Sequence, residues 1–498
     1  MTAIVTGGEK GRAMVAVKAN DLIYALREVL ALKRRSDSPV QLKDMLCTAQ
    51  YLSVHPLQKE PFSYQVQYLY VLEYFIRKLA RTDLFAVSGL YLYKKVLLRD
   101  RKDRYHYDAA RIESLLEAKK KNRKYQGFQL LFYRYVLLLD LLFLCGRGEE
   151  RREQRILCTV QKYFSSPYIE ELTSWFDALL HERPAGKAPS GLTKAAAVWN
   201  KNRKYRRKPL STVLFVANMS AGKSTLINAL TGKTINRAQN QACTAKLHYI
   251  YRKSVEDGFI CEYDYVLDPD ADRDTLMQDN EKNTTNRIMA GTAFHFIAPS
   301  TQRFCFLDTP GANYSRNEEH EDIAHRAIYR ETYDQLVYVM AAGSTGTDDD
   351  RVYLQYVKEH HRAKRLIFVL NKLDTYNSRE DSVEESLQKA DADLRQMGFA
   401  NFQLYPLSAR AGFMAKQVLC GVKFGEDTLE YLEQLRYRAL FRGDMFDFGK
   451  YYPVTDRVLE AAREKYKSRQ DTLEWFLRTG LFGLEYVLTH GAGRRRRQ

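Results

Sequence analysis

The residues best equipped for chemistry begin at Ala217. The string Ala217-Asn218-Met219-Ser220-Ala221-Gly222-Lys223-Ser224-Thr225 follows the apolar run TVLFV and precedes LINAL. A strand, a small-residue loop and a Lys-Ser pair opening a helix form a phosphate cradle. The loop, with Ala221 and Gly222 at its turn, wraps its N–H groups around phosphate oxygens. The helix N-terminus adds its partial positive charge. Gly222 permits close approach, Lys223 reaches the β and γ phosphates, and the Ser224 hydroxyl supplies a ligand to Mg²⁺, with Thr225 completing the motif. The first position, usually Gly, is Ala217, which adds one methyl group.

A second element, Phe304-Cys-Phe-Leu-Asp308-Thr-Pro-Gly311, is an apolar strand ending in DxxG. An aspartate at that strand end, Asp308, can hold the metal through water, and the Gly311 N–H can meet the γ-phosphate. Between the two lies QNQACTA, residues 239–245, where Thr244 is the candidate switch threonine whose hydroxyl completes the Mg²⁺ shell. The metal set is therefore Ser224, Thr244 and Asp308.

A third element, Leu366-Ile-Phe-Val-Leu-Asn371-Lys372-Leu373-Asp374, runs a buried-type strand into NKxD. The Asp374 carboxylate can accept from guanine N1–H and the 2-amino group. Adenine lacks that pair and would leave a charged acceptor unpaired. Asn371 can bond the O6/N7 edge, and the Lys372 stem can cover the ring. After another strand, Leu407-Ser408-Ala409-Arg410 places the Ala409 N–H to donate to guanine O6. Four motifs in order, each at a strand end, predict a domain that takes GTP and GDP, with GTP as substrate and Mg²⁺ as cofactor.

These motifs need strands to carry them. From about residue 210, apolar β-type runs at 211–217, 245–251, 304–307, 336–340, 366–370 and 402–407 alternate with helical stretches. That alternation predicts a mostly parallel sheet covered by helices on both faces. Upstream, apolar residues at helical spacing predict helices at 20–32, 40–49, 64–79, 110–118, 128–144 and 168–180. The tyrosines at 64, 68, 70 and 74 read as core packing. The expected organisation is an all-α domain over 1–183, a linker with a basic run over 184–209, a G domain over 210–490 and a basic tail over 491–498. Thr472 to His490 is expected to be one amphipathic helix closing the G domain.

The chain has 498 residues, 45% of them hydrophobic and 28% charged. Wholesale disorder is excluded, and several domain-sized units are expected. Lys and Arg number 78 against 61 Asp and Glu, a net charge of +17, which suits an anionic partner such as a membrane surface, nucleic acid or nucleotide. Basic runs stand at 201–208 (KNRKYRRK) and 494–497. Seven scattered cysteines without CxxC spacing argue against a disulfide framework or a zinc site. No segment reads as a secretory signal or a bilayer span. The apolar run 129–145 is interrupted by Arg134 and Asp140 and reads as a buried helix. A cytoplasmic protein, at most peripheral on the inner face of the membrane, is the expectation.

The strings SAGKSTLINALTG, CTA, LDTPG, NKLD and LSAR resemble the dynamin-like GTPases, especially the bacterial branch, over roughly residues 210 to 420. The 85-residue interval from Lys223 to Asp308 leaves room for the enlarged sheet of such α/β P-loop NTPase domains, which extend the Ras-like G domain. The resemblance implies that Ser220 orders a monovalent cation, K⁺, that offsets transition-state charge, which makes Ser220, Lys223 and Thr244 the catalytic set. It also implies self-association through the G domain and action at an anionic membrane. Where eukaryotic dynamins place a water-positioning Gln, this chain has Met219, so water must be held by backbone groups, Thr244 or a partner. A competing reading is a regulatory switch or scaffold that binds a protein or RNA partner through its helical domain. No recognisable RNA-binding module accompanies it.

Overall fold

The computed structural model describes residues 48–490 apart from 100–104, 121–132, 184–191, 236–245, 257, 264–265, 272–286, 301, 311–317, 343–347, 377–381, 423, 425–429, 431, 435 and 437–443. Cα packing divides the chain into a helical unit, chiefly residues 54–199, and an α/β unit, chiefly residues 200–490. The helix expected at 20–32, most of the one expected at 40–49 and the basic tail lie outside the described residues, which begin with a short helix over Thr48–Ser53.

The helical unit contains α1 (Phe62–Ala80), α2 (Leu84–Leu98), α3 (Ala109–Lys120), α4 (Arg134–Leu141) followed by a π turn (Leu142–Gly146), α5 (Glu150–Gln161) and α6 (Ser166–Leu180). Leu69, Leu72, Phe75 and Ile76 of α1 lie on its buried face with Tyr68, as the helical spacing of apolar residues requires. The break in the apolar run at Asp140 has a structural purpose. Its carboxylate is fully buried and accepts hydrogen bonds from Tyr68 Oη, from Tyr93 Oη at 3.2 Å and from His55 Nε2 at 3.0 Å. Leu57 N–H donates to His55 Nδ1 at 3.3 Å, so the ring proton sits on Nε2, facing Asp140. A buried carboxylate is tolerated only with such partners.

The stretch expected as a linker is in part a helix: α7 spans Thr193–Arg206. Its buried residues Ala195, Trp199 and Tyr205 supply the apolar contacts that hold it helical. Most of the basic run 201–208 therefore lies on its last turns.

In the α/β unit a nine-stranded sheet is built from β1 (Leu210–Ala217), β2 (Leu247–Lys253), β3 (Phe259–Tyr263), β4 (Val266–Ala271), β5 (Arg287–Ala293), β6 (Arg303–Asp308), β7 (Gln335–Ala341), β8 (Arg365–Asn371) and β9 (Phe402–Pro406). Their order is β4-β3-β5-β2-β6-β1-β7-β8-β9. Five neighbouring strands, β6, β1, β7, β8 and β9, are mutually parallel. β2 joins β6 antiparallel, β5 pairs parallel with β2, and β3 is antiparallel to β5. The long interval before Asp308 thus enlarges the sheet. The central strands are buried along most of their length, which explains their continuous rather than alternating apolar sequences.

The covering helices are α8 (Lys223–Thr231), α9 (Glu318–Arg330), α10 (Asp348–His360), α11 (Val383–Gln396), α12 (Ala409–Leu419), α13 (Asp456–Lys465), α14 (Gln470–Arg478) and α15 (Leu481–His490). The single closing helix expected over 472–490 is two helices. Gly480 has φ +80°, and a Cβ there would stand 2.7 Å from Pro406 O, so only glycine makes this break. The break also frees Thr479 O to accept from Ser408 N at 3.0 Å.

One buried ion pair ties three of these helices together. Lys416 of α12 donates to Glu485 of α15 and to the last carbonyls of α8, Ala229 O and Leu230 O, the latter at 3.0 Å. Glu485 accepts Ile297 N and Ala298 N, each at 2.9 Å. Both side chains are fully buried. Burial pushes the ammonium of Lys416 down and the carboxyl of Glu485 up from their ordinary ranges, while the partners and backbone donors oppose it. Removing one member leaves an uncompensated group, so Lys416→Met is expected to lower unfolding stability by about 3–5 kcal/mol. The double variant Lys416→Met/Glu485→Leu should not recover it, because four backbone groups lose their partners. Urea unfolding with coincident tryptophan and circular-dichroism transitions checks this; full recovery in the double variant would contradict it.

Candidate functional site

Because β6, β1, β7, β8 and β9 run in one direction, the loops after them gather at one end of the sheet, where open α/β sheets bind ligands. The register sets Phe215 beside Asp308, Ala217 beside Val339 and Ala341 beside Asn371. Four sequence motifs therefore converge on a single rim.

The loop after β1 turns through two left-handed residues, Ser220 at φ +63° and Gly222 at φ +90°. Such turns gather successive N–H groups around an anion. Serine in that conformation is uncommon, and the strain of a non-glycine residue there marks a constrained functional loop. Glycine at 222 is obligatory on a second count: a Cβ would run into the Asn371 side-chain amide. Helix α8 begins at Lys223, so its N-terminal N–H groups face the same loop. Ser224 and Thr225 are half-buried on its first turn, and Ser220 is exposed.

Lys223 is nearly buried, and its ammonium donates to Asp308 and to Thr309 O. Asp308 and Thr309 are fully buried, and Thr309 Oγ1 donates to Phe215 O at 3.0 Å, locking the loop after β6 to β1. The lysine and the metal-side aspartate predicted from sequence are thus brought together. Asp308 and the half-buried Ser224 offer the oxygen donors that a hard divalent cation such as Mg²⁺ prefers. Thr244 and Gly311, the two predicted switch residues, lie outside the described residues.

The base side is assembled around Asn371, whose carboxamide is almost fully buried. Its Nδ2 donates to Ala221 O and its Oδ1 accepts from Ala409 N, both at 2.9 Å. The predicted Ala409 N–H is therefore occupied by Asn371 in this structure. Asn371 acts here as a bridge between loops, and the sequence reading that placed it on the base edge did not show this. Ser408 Oγ donates to Asp374 Oδ1 at 2.7 Å and accepts from Ala411 N at 3.1 Å, so it orients the carboxylate and caps α12 together. Lys372 adopts a left-handed turn at φ +68°, which carries the chain from β8 into the short helical turn bearing Asp374.

One contact was not anticipated. Asn218 in the phosphate loop donates to Asp350 on α10, fastening the loop from its other side. Met219 beside it is 42% exposed, so its side chain neither packs the core nor offers a polar group. The spacing of Asn218 and Asp350 in sequence gives no signal for their pairing. Among the described residues no group of His, Cys, Asp and Glu side chains forms a self-sufficient metal cage.

A phosphate loop, an acidic strand end and a carboxylate-bearing base loop on one sheet define a P-loop GTPase domain. The dynamin-family model matches residues 213–373, the stretch from β1 to the base loop. The probable transmembrane GTPase FZO-like, chloroplastic, of Arabidopsis thaliana is 26% identical over 222 residues, covering 44% of this chain and 21% of that protein. The bifunctional enzyme NodQ of Rhizobium meliloti is 22% identical over 175 residues, 35% of this chain and 26% of that one. This chain thus spans about a quarter or less of the length of these curated relatives. Among solved structures, an oligomerised bacterial dynamin pair aligns with 84% of this chain and 60% of its own at 15% identity, TM-score 0.35. Toc33 from Arabidopsis thaliana, in complex with Mg²⁺ and GMPPNP, aligns with 50% and 81% at 13% identity, TM-score 0.28.

The Asn371 bridge generates a test. Asn371→Ala leaves Ala221 O and Ala409 N without partners, which should cost about 2–4 kcal/mol of stability and loosen both loops. Guanine-nucleotide affinity measured by calorimetry should fall by about tenfold or more, in step with a lower thermal midpoint. Unchanged affinity would contradict the bridging role.

Proposed function

We propose that this protein binds GTP at the rim of the parallel sheet and hydrolyses it to GDP and phosphate. The observation that carries the reading is the Asn371 carboxamide, which joins the phosphate loop to the base loop through Ala221 O and Ala409 N. One side chain thereby sets the distance between a phosphate cradle and a guanine-selective carboxylate, Asp374.

Roles follow from chemistry. The N–H groups around Ser220, Ala221 and Gly222 and the start of α8 take the phosphate oxygens. A triphosphate would draw the Lys223 ammonium from Asp308, and Asp308, Ser224 and Thr244 would hold Mg²⁺. Mg²⁺ supplies charge neutralisation on the β and γ oxygens when bound. Gly311 senses the γ-phosphate through its N–H. Asp374 accepts from guanine N1–H and the 2-amino group, Lys372 covers the ring and Ser408 holds the carboxylate in place. No titrating base is required, because positioning and charge stabilisation dominate this reaction.

Ser220 is the residue for a K⁺ ion that offsets transition-state charge. Exposed Met219 cannot orient water, so hydrolysis by one isolated chain is slow, and pairing of two G domains across the nucleotide face supplies the missing groups. The net charge of +17 and the basic run on α7 support action from the cytoplasm at an anionic membrane surface as a peripheral protein. Among the described residues no helix is long and apolar enough to cross a membrane.

GTP turnover per molecule is therefore expected to rise with protein concentration. It should rise further in K⁺ than in Na⁺ buffer and again with anionic liposomes, while Lys223→Ala abolishes it. Phosphate-release assays across a concentration series check this. A flat rate indifferent to concentration, cation and lipid would contradict self-association and membrane action, and full activity in Lys223→Ala would contradict the site.

A further inference from the structure

Outside the G domain, the helical unit carries an open pocket of about 390 Å³. Its polar wall holds Asp83, Arg147, Arg152 and Arg155, and its apolar wall includes Leu79 and Ile156. Arg147 follows the π turn, while Arg152 and Arg155 are three residues apart on α5 and share one face of it. Three guanidinium groups thus converge where mutual repulsion must be offset.

The compensation in place is incomplete. Asp83 caps α2, accepting Phe85 N at 3.1 Å and Ala86 N at 3.4 Å, and pairs with Arg147. Arg152 Nη1 stands 3.9 Å from the same carboxylate, and Arg152 Nε pairs with Glu149 at 2.7 Å. The Arg155 guanidinium has no carboxylate partner among the described residues. The Arg147 side chain is only 9% exposed, yet its Nε has no hydrogen-bond partner. A buried guanidinium with an idle donor is costly unless a ligand satisfies it. Capping of α2 accounts for Asp83 and Arg147, Glu149 pairs with Arg152, and Arg155 is left without a carboxylate.

We propose that this pocket binds a phosphate monoester. Guanidinium forks match phosphate oxygens, and the idle Arg147 Nε and the carboxylate-free Arg155 are the donors such an anion would take. The apolar wall accommodates the carbon side of the ester. The same chemistry is carried by a soluble organic phosphate and by the headgroup of phosphatidic acid. The pocket lies within the helical unit and requires no guanine nucleotide, so it stands or falls separately from the GTP reading.

The test uses the full chain. Glycerol 3-phosphate is titrated by calorimetry, and co-sedimentation is measured with phosphatidylcholine vesicles with and without phosphatidic acid. Each is repeated with Lys223→Ala, which removes the phosphate-loop contribution, and with Arg155→Ala, an exposed position whose loss leaves the fold intact. Saturable binding should survive Lys223→Ala and weaken by about tenfold or more in Arg155→Ala, with an unchanged melting profile. Arg152→Ala should weaken it similarly. Binding of glycerol 3-phosphate identifies a soluble ligand, and binding of phosphatidic acid vesicles alone identifies a lipid headgroup; either supports the site. No saturable binding of either probe would overturn the proposal, as would equal binding by wild type and Arg155→Ala, or binding lost in Lys223→Ala.

Discussion

A single buried carboxamide sets the geometry on which the rest of the nucleotide end depends. Asn371 ends β8, and both of its polar atoms are engaged, one by the phosphate loop and one by the start of α12. This requires Gly222 to carry no side chain, since a Cβ would occupy the space of the amide. It requires β1, β7 and β8 to be parallel and in register, with Ala217 opposite Val339 and Asn371 opposite Ala341, two residues farther along β7. Sheet pairing thereby becomes site geometry, and the loops inherit their precision from the strands.

A second layer of fixing lies below the rim. The Lys416–Glu485 pair holds the C-terminal end of α8, whose N-terminal end opens at the phosphate loop. The ammonium is well placed there, since a cation at a helix C-terminus is favoured by the macrodipole. A short helix anchored at its far end presents its N–H groups in a fixed direction. The cost is two desolvated charges, offset here by hydrogen bonds to backbone on both sides. The break at Gly480 belongs to the same scheme, because it lets Thr479 O hold Ser408 N beside Asp374.

Much of this was legible in the sequence, for identifiable reasons. The phosphate and base motifs are short, and their chemistry dictates residue type, so the sequence alone places Lys223, Asp308, Asn371 and Asp374 at or just after strand ends. The central strands are buried on both faces and read as unbroken apolar runs. β3, β4 and β5 escaped notice because FICEY is short, VLDPDA carries two aspartates and a proline, and RIMAGTA is rich in small residues. α2, α5 and α7 were also unread. α5 has an apolar face of only a few residues within a highly charged segment, and the basic character of α7 resembles a loop. The Lys416–Glu485 and Asn218–Asp350 pairs join residues far apart in the chain, and no periodicity announces such partners. Asp140 read as an interruption because its tyrosine partners come from α1 and α2 and its histidine partner from the segment before α1.

The central claim is that this rim selects guanine through Asp374. The most direct measurement compares GTP and xanthosine triphosphate affinities for wild type and Asp374→Asn. On this account the carboxylate would accept from the guanine 2-amino group, whereas an amide can donate to the 2-oxo group of xanthine. The account predicts that wild type prefers GTP and that Asp374→Asn loses GTP affinity by about 100-fold or more while gaining affinity for the xanthine nucleotide. Retained GTP preference in the variant, or wild-type binding indifferent to the base, would contradict it.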